Sequence, residues 1–443
     1  MRPTFFVALS LLAACDGGAA KDSDSTTVDD SGGSSADCVE ENGACVLSGT
    51  YTEDLTLTAD KNWLLRSKVE IGDDQNPVTL TIEPGTTIYG EGASTGMLVI
   101  TRGAKINAVG RADAPIVFTS DQPAGSRARG QWGGVVLNGR APINACADGT
   151  PDCEAEGEGG MGKYGGNDDT DNSGTLKYVR IEFGGIEVSP DNEINGLSLQ
   201  AVGSGTTIDY IQVHQNLDDG IEWWGGSVDV KHVLITGVGD DGLDWDFGYH
   251  GRVQYAVVHQ AGDAGNNALE GDNNPDVYDA SPTSAPTFSH LTLIGSTTIP
   301  EDNFAILARR GTAGQFWNVA AMDFTVGCLA IRDQQTFDHY TAGDSAFAHA
   351  RFACAQPFEE DAAEAETVTE DQVFADGTDN QIVDDLKLSS TDFASPDYQP
   401  GAGSPLLSGG GTPGNPFFDQ VTYIGAFDGT NDWTAGWTTH ALN

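Results

Sequence analysis

The stretch "DDGIEWWGG", Asp218–Gly226, returns 22 residues later as "DDGLDWDFG", Asp240–Gly248. Each copy contains two acids, a glycine, an alternation of apolar and acidic residues, and further on a second glycine. Three longer units begin at Ile208, Val230 and Val253, at spacings of 22 and 23 residues, and the first two contain the copies. Every unit opens with alternating apolar residues and continues into a polar turn, a pattern that predicts short β-strands separated by turns.

A period of 22–23 residues holds about three short strands and three turns, which is one rung of a solenoid. Strand–turn units of the same kind occur at 78–90, 96–110, 114–121, 130–144, 176–185, 286–295, 303–311 and 314–324. The chain contains 57 glycines, as a fold with a turn every few residues requires. The sequence therefore predicts an all-β solenoid.

The predicted domain organisation follows from where this pattern begins and ends. The expected segments are a signal peptide (1–14), a flexible acidic linker (15–37), an N-terminal cap (38–78), the β-helix (79–345), and a C-terminal flank with the end of the β-helix (346–443). Lateral loops are expected at 145–175 and 262–285, and helical periodicity is nearly confined to 359–387.

The N-terminus indicates export. Arg2 precedes the apolar run Phe5–Ala14, which is too short to span a bilayer and is typical of a signal peptide. The motif "LAAC", Leu12–Cys15, resembles a bacterial lipobox, and this resemblance implies cleavage before Cys15 and lipidation of that residue. We expect a protein of the bacterial cell envelope that is anchored to a membrane through this lipid. The outer membrane or cell surface is favoured over the inner membrane.

Charge restricts the partners. The chain has 66 Asp and Glu residues against 21 Lys and Arg, a net charge of −45. Nucleic acids and anionic membrane surfaces are recognised by clustered Lys and Arg, so we expect no nucleic-acid partner. Cations, a glycan or a protein remain compatible, although many of the acids are explained by a solvated coat that keeps an exported protein soluble.

Six cysteines remain besides Cys15, an even number that favours disulfides in an oxidising compartment. Sequence proximity predicts the pairs Cys38–Cys45, Cys146–Cys153 and Cys328–Cys354 among 15 possible connectivities.

Several motifs resemble those of a known family. They are "IEPGT" (82–86), "RGAKINAVGRADAPIVFTS" (102–120), "WGGVVLNGRAPI" (132–143), the two Asp-Asp-Gly stretches, and "FFDQVTYIGAFDGTNDWTAGWT" (417–438). Over roughly residues 78–438 the chain resembles bacterial secreted proteins and lipoproteins of the pectate-lyase-like superfamily. The resemblance implies a right-handed parallel β-helix of about 20–23 residues per rung, with an N-terminal cap and lateral loops. It carries no activity over to this chain.

Stacked rungs place equivalent residues in neighbouring strands about 4.8 Å apart. The acidic pairs expected to stack are Asp218/Asp240, Asp219/Asp241 and Glu222/Asp244. Alternation directs Trp223 and Trp245 into the core, and directs Trp224, Asp246, His214 and His259 outward. Two carboxylates about 5 Å apart repel by about 3 kcal/mol at an effective dielectric of about 20. The stack therefore requires relief from water, hydrogen bonds, shared protons or a cation.

Two explanations for the acids need no catalysis. An Asp in a turn accepts backbone hydrogen bonds, and the glycine after it supplies a positive φ, which accounts for one Asp of each pair. Alternatively the acids bind Ca²⁺, which prefers carboxylate and carbonyl oxygens. The candidate ligands are Asn216, Asp218, Asp219, Asp240, Asp241 and Asp263. No organic cofactor is expected.

A third explanation is a carbohydrate-active enzyme. Glycoside hydrolysis uses two carboxylates at separations that stacked rungs can supply, and the candidates are Asp219, Asp241, Glu222 and Asp244. Trp224 and Asp246 are the candidate ligand-binding residues, because an outward Trp can form a sugar platform. A lyase is disfavoured, because no Arg or Lys lies in 181–230 to bind a uronate and take its proton. We favour a non-catalytic binding or structural module, with a polysaccharide hydrolase as the alternative.

Overall fold

The computed structural model describes residues 38–147, 150–189, 192–299, 303–359 and 368–443. The predicted signal peptide, the linker and the lipidation at Cys15 lie outside these residues. Nearly all regular structure in the described part is β, with two short α-helices. None of the described helices is long and apolar enough to cross a membrane.

The elements are numbered in chain order. The first strands are β1 (Val39–Glu41), β2 (Ala44–Tyr51), β3 (Leu55–Leu57), β4 (Asn62–Ile71), β5 (Thr79–Ile82), β6 (Thr87–Gly90), β7 (Met97–Ile100), β8 (Lys105–Val109), β9 (Ile116–Ser120), β10 (Val135–Asn138), β11 (Cys153–Glu156), β12 (Lys163–Gly166), β13 (Gly174–Glu182), β14 (Ile186–Ser189), β15 (Asn192–Ile194) and β16 (Leu197–Val202). They are followed by β17 (Thr207–His214), β18 (Ile221–Gly226), β19 (Val230–Thr236), β20 (Leu243–Asp246), β21 (Arg252–His259), β22 (Leu269–Gly271), β23 (Thr287–Ile294), β24 (Phe304–Ala308), β25 (Gln315–Met322) and β26 (Gly327–Ile331). The C-terminal elements are α1 (Gln334–Ala342), β27 (Ala346–Ala348), β28 (Arg351–Ala353), α2 (Glu370–Asp376), β29 (Gln381–Ile382), β30 (Leu388–Ser390) and β31 (Asp397–Pro400).

The strands form the predicted right-handed parallel β-helix. Sheet A stacks β7, β10, β16, β18, β20, β22, β24 and β26 in parallel. The long strands β13, β17, β19, β21, β23 and β25 stack in parallel as well, and each bends near its middle. Their first halves form sheet B and their second halves form sheet C.

The coil that begins with β17 shows how one repeat folds. Tyr210, at φ 57°, turns the strand from sheet B into sheet C. The turn 215–220 then leads into β18 of sheet A, and a second turn returns the chain to sheet B at β19. The repeat found in the sequence is therefore one coil, built as predicted from strands and turns.

The interior is filled by stacked apolar side chains. Ile221 pairs with Leu243 and Trp223 with Trp245, and all four are fully buried, as alternation predicts. The next residue of the tryptophan stack is Gly271, which pairs with Trp245. A Cβ at Gly271 would overlap the Trp245 ring, so the glycine provides the space that this indole occupies.

The stack of parallel strands begins earlier in the chain than predicted. β1 and β2 form an antiparallel hairpin, but β2 already pairs in parallel with β4, and β3 with β5. The expected cap over 38–78 therefore contains strands of the β-helix itself. Helix α2 lies inside the stretch with helical periodicity, whereas α1 was not predicted.

The predicted disulfides are present at Cys38–Cys45, Cys146–Cys153 and Cys328–Cys354. The second closes the lateral loop that carries the antiparallel hairpin β11–β12. The C-terminal segment, residues 401–443, packs along sheets B and C. Outward side chains of successive coils hold its backbone through hydrogen bonds, and the residues are Gln212, Gln254, Thr292 and Asn318.

Candidate functional site

The repeated Asp-Asp-Gly stretches form the turns between sheets C and A. Asp219 Oδ1 accepts a hydrogen bond of 2.8 Å from the backbone N–H of Asp241. Asp241 Oδ1 in turn accepts one of 2.5 Å from the backbone N–H of Asn267. The second Asp of each pair therefore joins one coil to the next, as the structural explanation predicts.

The glycines of these turns act differently from the prediction. Among the described residues, positive φ angles occur at many glycines, but Gly220 and Gly242 are not among them. A Cβ at Gly220 would lie 2.5 Å from the carbonyl oxygen of Gly242, and the Cβ of Gly242 would lie 2.6 Å from that of Ala268. These positions require glycine because successive turns approach closely, so the predicted positive φ is wrong.

Acids also stack on the outward face of sheet A. Glu222 pairs with Asp244, as predicted, and Asp244 pairs with Glu270 of β22. Glu222 accepts a hydrogen bond of 2.6 Å from Asn195 Nδ2, and Glu270 accepts one of 2.9 Å from Asn267 Nδ2. Asp244 stands between them, and its Oδ1 is buried and accepts no hydrogen bond from a described residue.

Turn and strand acids together form a carboxylate ladder, which comprises Asp218, Asp219, Glu222, Asp240, Asp241, Asp244 and Glu270. Within it, three trios each bring three carboxylate oxygens to within 4.8 Å of one another: Asp218/Asp219/Asp240, Asp219/Glu222/Asp244 and Asp241/Asp244/Glu270. The last two trios are the same constellation displaced by one coil. They share Asp244, which is therefore the central residue of the ladder.

The ladder changes the protonation of its members. Burial, followed by the charges of neighbouring carboxylates, raises the pKa of Asp219, Asp241 and Asp244 well above the usual value for Asp. Burial also raises the pKa of Asp240 and Glu270, although the Arg309 guanidinium opposes the effect at both. The protein thus concentrates carboxyl groups where their charged forms are disfavoured.

Cations close one end of the ladder. Arg309 comes directly after β24, and Asp272 comes directly after the neighbouring strand β22. Arg309 forms one ion pair with Glu270 and another, at 2.9 Å, with Asp272. Arg310 contacts Asp272 at 2.5 Å. The sequence repeat gives no sign of these arginines, because Arg309 lies 37 residues from Asp272 along the chain. Arg309 is already paired with two carboxylates.

The structure does not bring Asp263 together with the other predicted ligands. Asp263 forms an ion pair with Arg129 at 2.9 Å and belongs to none of the carboxylate trios. The turn between β21 and β22 has nine residues, 260–268, whereas the two preceding turns have six, 215–220 and 237–242. This longer turn shifts the register, so the acid that extends the ladder is Glu270. Allowing an insertion in the third unit would have aligned "ALEG" with "GLDW" and identified it.

The other predicted ligands differ in their roles. Asp218, Asp219, Asp240 and Asp241 all lie in the ladder. Asn216 is fully buried, and its Nδ2 donates a hydrogen bond of 2.8 Å to the backbone oxygen of Asp219. Its amide therefore stabilises the turn.

The outward residues are less accessible than alternation predicts. Trp224 is 5% exposed, because it packs with Ile143 and Tyr164 beneath the lateral loop, so the predicted sugar platform is wrong. Asp246 pairs with Trp224 in the next strand and is half-buried.

His214 and His259, which were predicted to face solvent, are buried by the C-terminal part of the chain. His214 Nε2 lies 2.7 Å from the carbonyl oxygen of Ala441, and His259 Nδ1 lies 3.1 Å from the hydroxyl of Tyr398. Burial lowers the pKa of each histidine to about 4.

The four candidate catalytic acids fall into two groups. Asp219 and Asp241 are 6% and 4% exposed, and each carboxylate is engaged by a backbone N–H. Glu222 and Asp244 are half-buried on paired strands, so these two lie nearest to a ligand on the outer face of sheet A.

Comparison with known proteins gives one finding. A family model described as "Pectate-lyase like beta helix domain" matches residues 49–438. No curated protein and no solved structure matches the chain.

Proposed function

The chain belongs to the pectate-lyase-like β-helix family, and we propose that it is an exported, lipid-anchored protein of the cell envelope that acts as a non-catalytic binding or structural module stabilised by Ca²⁺. The family establishes the fold, and the function is argued from the carboxylate ladder. The cellular part rests on the sequence, in which the lipobox-like "LAAC" ends at Cys15 and a linker with almost no large apolar residue follows it.

One observation carries the calcium part of the proposal. Asp244 Oδ1 is buried, lacks a hydrogen-bond donor among the described residues, and belongs to a carboxylate shared by two trios. Two oxygens that bind one Ca²⁺ at about 2.4 Å can be at most about 4.8 Å apart, and the oxygens of each trio meet this limit. A cation beside Asp244 would supply the partner that its oxygen lacks.

Calcium fits the chemistry of this donor set. It accepts six to eight oxygen ligands in flexible geometry, and the ladder offers carboxylates together with backbone carbonyls of the turns. No histidine or free cysteine belongs to the trios found among the described residues, so a metal that prefers nitrogen or sulfur is disfavoured. Burial is the main cause of the raised pKa values, and repulsion between carboxylates adds to it. A bound Ca²⁺ would offset that repulsion.

The same site gives a route to a partner. Three carboxylates leave part of the coordination shell of Ca²⁺ to water or to oxygens from outside. Hydroxyl and carboxylate groups of a glycan, or acidic side chains of a protein, can complete it. The ladder then holds successive coils together and presents a cation at the outer face of sheet A.

A polysaccharide hydrolase is the second candidate, and one observation favours it. Glu222 and Asp244 are directly paired, so their backbones are about 4.8 Å apart, and burial raises the pKa of Asp244. A protonated acid beside a second carboxylate is the arrangement that glycoside hydrolysis uses. A lyase is disfavoured, because Arg309 is engaged by Glu270 and Asp272.

Thermal unfolding with and without a chelator separates the two functions. For a calcium-stabilised module, chelation lowers the Tm of the wild-type protein, and Asp244→Asn removes most of this sensitivity. For a hydrolase, Glu222→Gln and Asp244→Asn each abolish glycan cleavage, and the Tm of the wild-type protein is the same with and without the chelator. A wild-type protein whose Tm does not respond to chelator would contradict the proposal.

A further inference from the structure

A column of aromatic rings follows the corner between sheets B and C. The bend residues Tyr178, Tyr210, His232, Tyr255 and His290 form this aromatic column, and all have positive φ. Their ring centroids follow one another at 4.4, 4.2, 5.0 and 5.4 Å. The left-handed bend is unfavourable for such bulky residues, so stacking and the C-terminal segment that packs on the column must offset its cost.

The C-terminal segment leaves a cavity of about 210 Å³ over the middle of the column. Rings surround it on several sides: His232 and Tyr255 from the column, and Tyr423 and Trp433 from the segment. Trp433 meets His232 edge to face at 5.4 Å, whereas His232 stacks on Tyr255 at 5.0 Å. The rings therefore lie in different planes, as in an aromatic cage.

Most polar groups of this cavity are already engaged within the protein. Trp433 Nε1 donates to the carbonyl oxygen of Ala426 at 3.0 Å. Asp428 accepts hydrogen bonds from the backbone and side chains of Thr430 and Asn431. Burial and the neighbouring Tyr423 and Asp419 raise the pKa of Tyr255, so its hydroxyl stays neutral and interacts with groups of the protein. A sugar needs several unused donors and acceptors, so this lining suits a ligand that demands few hydrogen bonds.

The charge of the cavity is negative. Asp419 and Asp428 both line it, and Lys231 contacts Asp419 at 3.0 Å. Burial opposes ionisation of Asp428, but hydrogen bonds from Asn431 and Thr430 outweigh it and lower its pKa to about 2. One negative charge therefore exceeds the positive charge at this site, in a chain whose net charge is −45.

We propose that this aromatic cavity binds an alkylated ammonium group, such as the quaternary ammonium of choline. Aromatic faces attract such cations, and cages of aromatic residues recognise them without needing hydrogen bonds. The site is separate from the carboxylate ladder, so this proposal stands or falls independently of calcium.

The test compares choline with its neutral isostere 3,3-dimethylbutan-1-ol by calorimetric titration at pH 8. We expect choline to bind at least about tenfold more tightly than the isostere, equivalent to about 1.4 kcal/mol. Asp419→Asn, at an exposed position, weakens choline binding several-fold and leaves the isostere unchanged. Asp113→Asn, whose acid pairs with the exposed Arg111, serves as the matched control and changes neither.

A second variant and a second source of ligand complete the design. Trp433→Leu should abolish binding of choline, and circular dichroism establishes that the variant is folded. If the protein co-sediments with phosphatidylcholine vesicles and free choline releases it, the ligand is a lipid headgroup. If it binds free choline but not the vesicles, the ligand is a small solute. Absence of choline binding, equal binding of the isostere, or preferential binding of glucose would overturn the proposal.

Discussion

The two faces of strands β18 and β20 show opposite uses of the same register. On the inner face Trp223 lies beside Trp245, and one residue earlier on the outer face Glu222 lies beside Asp244. The tryptophans gain from this arrangement, since burial and contact both stabilise them. The acids are disfavoured by the corresponding arrangement on the outer face, where burial and then the charges of Glu270 and Asp272 raise the pKa of Asp244.

The difference shows what stacking does in a β-helix. Each coil places a residue about 4.8 Å from its equivalent, so the fold multiplies whatever interaction that residue has with itself. Repetition of an apolar residue needs no further partner. Repetition of an acid needs a proton, a donor or a cation, and Asn195, Asn267 and Arg309 supply some of these at Glu222 and Glu270. Among the described residues none donates a hydrogen bond to Asp244 Oδ1, and the Arg309 guanidinium opposes only part of the rise in the pKa of this acid.

Breaking the inner stack should have the largest effect. Trp245→Ala removes a fully buried indole that packs 5.0 Å from Phe288 and donates a hydrogen bond to Thr312. We expect the free energy of unfolding to fall by about 3–5 kcal/mol, the usual cost of such a truncation. Chemical unfolding followed by circular dichroism measures it, and a loss below about 1 kcal/mol would mean that the stack is not central to stability.

Filling the space beside that stack should cost less. Gly271→Ala places a Cβ against the Trp245 ring, and overpacking of this kind costs about 1–3 kcal/mol. In the double variant Trp245→Leu/Gly271→Ala the added methyl meets a smaller side chain. The two changes should therefore be non-additive, and strict additivity in the same unfolding experiment would show that the ring and the glycine do not interact.

Removing a charge from the stacked acids on the outer face of sheet A should stabilise the protein, in contrast to the two changes on the inner face. In chelator at pH 8, Asp244→Asn should increase the free energy of unfolding by about 1–3 kcal/mol, because it removes repulsion with Glu222 and Glu270. A carboxyl group whose pKa is raised in the folded state binds its proton at a higher pH in the folded protein than in the unfolded chain. The advantage of the variant should therefore shrink as the pH falls towards about 4, where the wild-type group is neutral as well.

Comparison of the variant with the wild type at each pH is essential to this experiment. The buried His214 and His259, each with a pKa of about 4, remain neutral in the folded state and make every variant less stable as the pH falls below about 6.5. This contribution cancels in the difference. An Asp244→Asn variant that is less stable than the wild type in chelator at pH 8 would contradict the account.

The smallest effect is expected at Asp263, which the sequence repeat predicted as a Ca²⁺ ligand but which lies outside the carboxylate ladder. Asp263→Asn breaks an ion pair with Arg129 in which the Asp side chain is 68% exposed, a change worth about 0–1 kcal/mol. The response of the Tm to Ca²⁺ should stay that of the wild type. A loss of that response would place the cation at the turn 260–268 instead of at Asp244.

The sequence was sufficient for features that depend on period. Spacings of 22 and 23 residues predicted the stacking of Trp223 on Trp245 and of Glu222 on Asp244. Proximity along the chain predicted the three disulfides. These features repeat at constant spacing or are local, so no knowledge of distant contacts was needed.

The errors share a physical origin in irregular turns and in distant segments. Three additional residues in the turn 260–268 place Asn267 at the position equivalent to Asp241 and Glu270 beside Asp244. Asp263 is therefore left outside the stack of acids. Trp224, His214 and His259 do point away from the core, but a lateral loop and the C-terminal segment cover them. Alternation along a strand determines which side a residue faces, and it contains no information about what packs on that side.

Calcium binding itself is the most direct test of the central claim, that a cation at Asp244 neutralises the carboxylate ladder. Ca²⁺ is titrated calorimetrically into chelator-treated protein, with Asp244→Asn and Asp263→Asn compared with the wild type. The account predicts saturable binding to the wild type and to Asp263→Asn, and binding at least about tenfold weaker, about 1.4 kcal/mol, to Asp244→Asn. No binding to the wild type, or equal binding to Asp244→Asn, would contradict it.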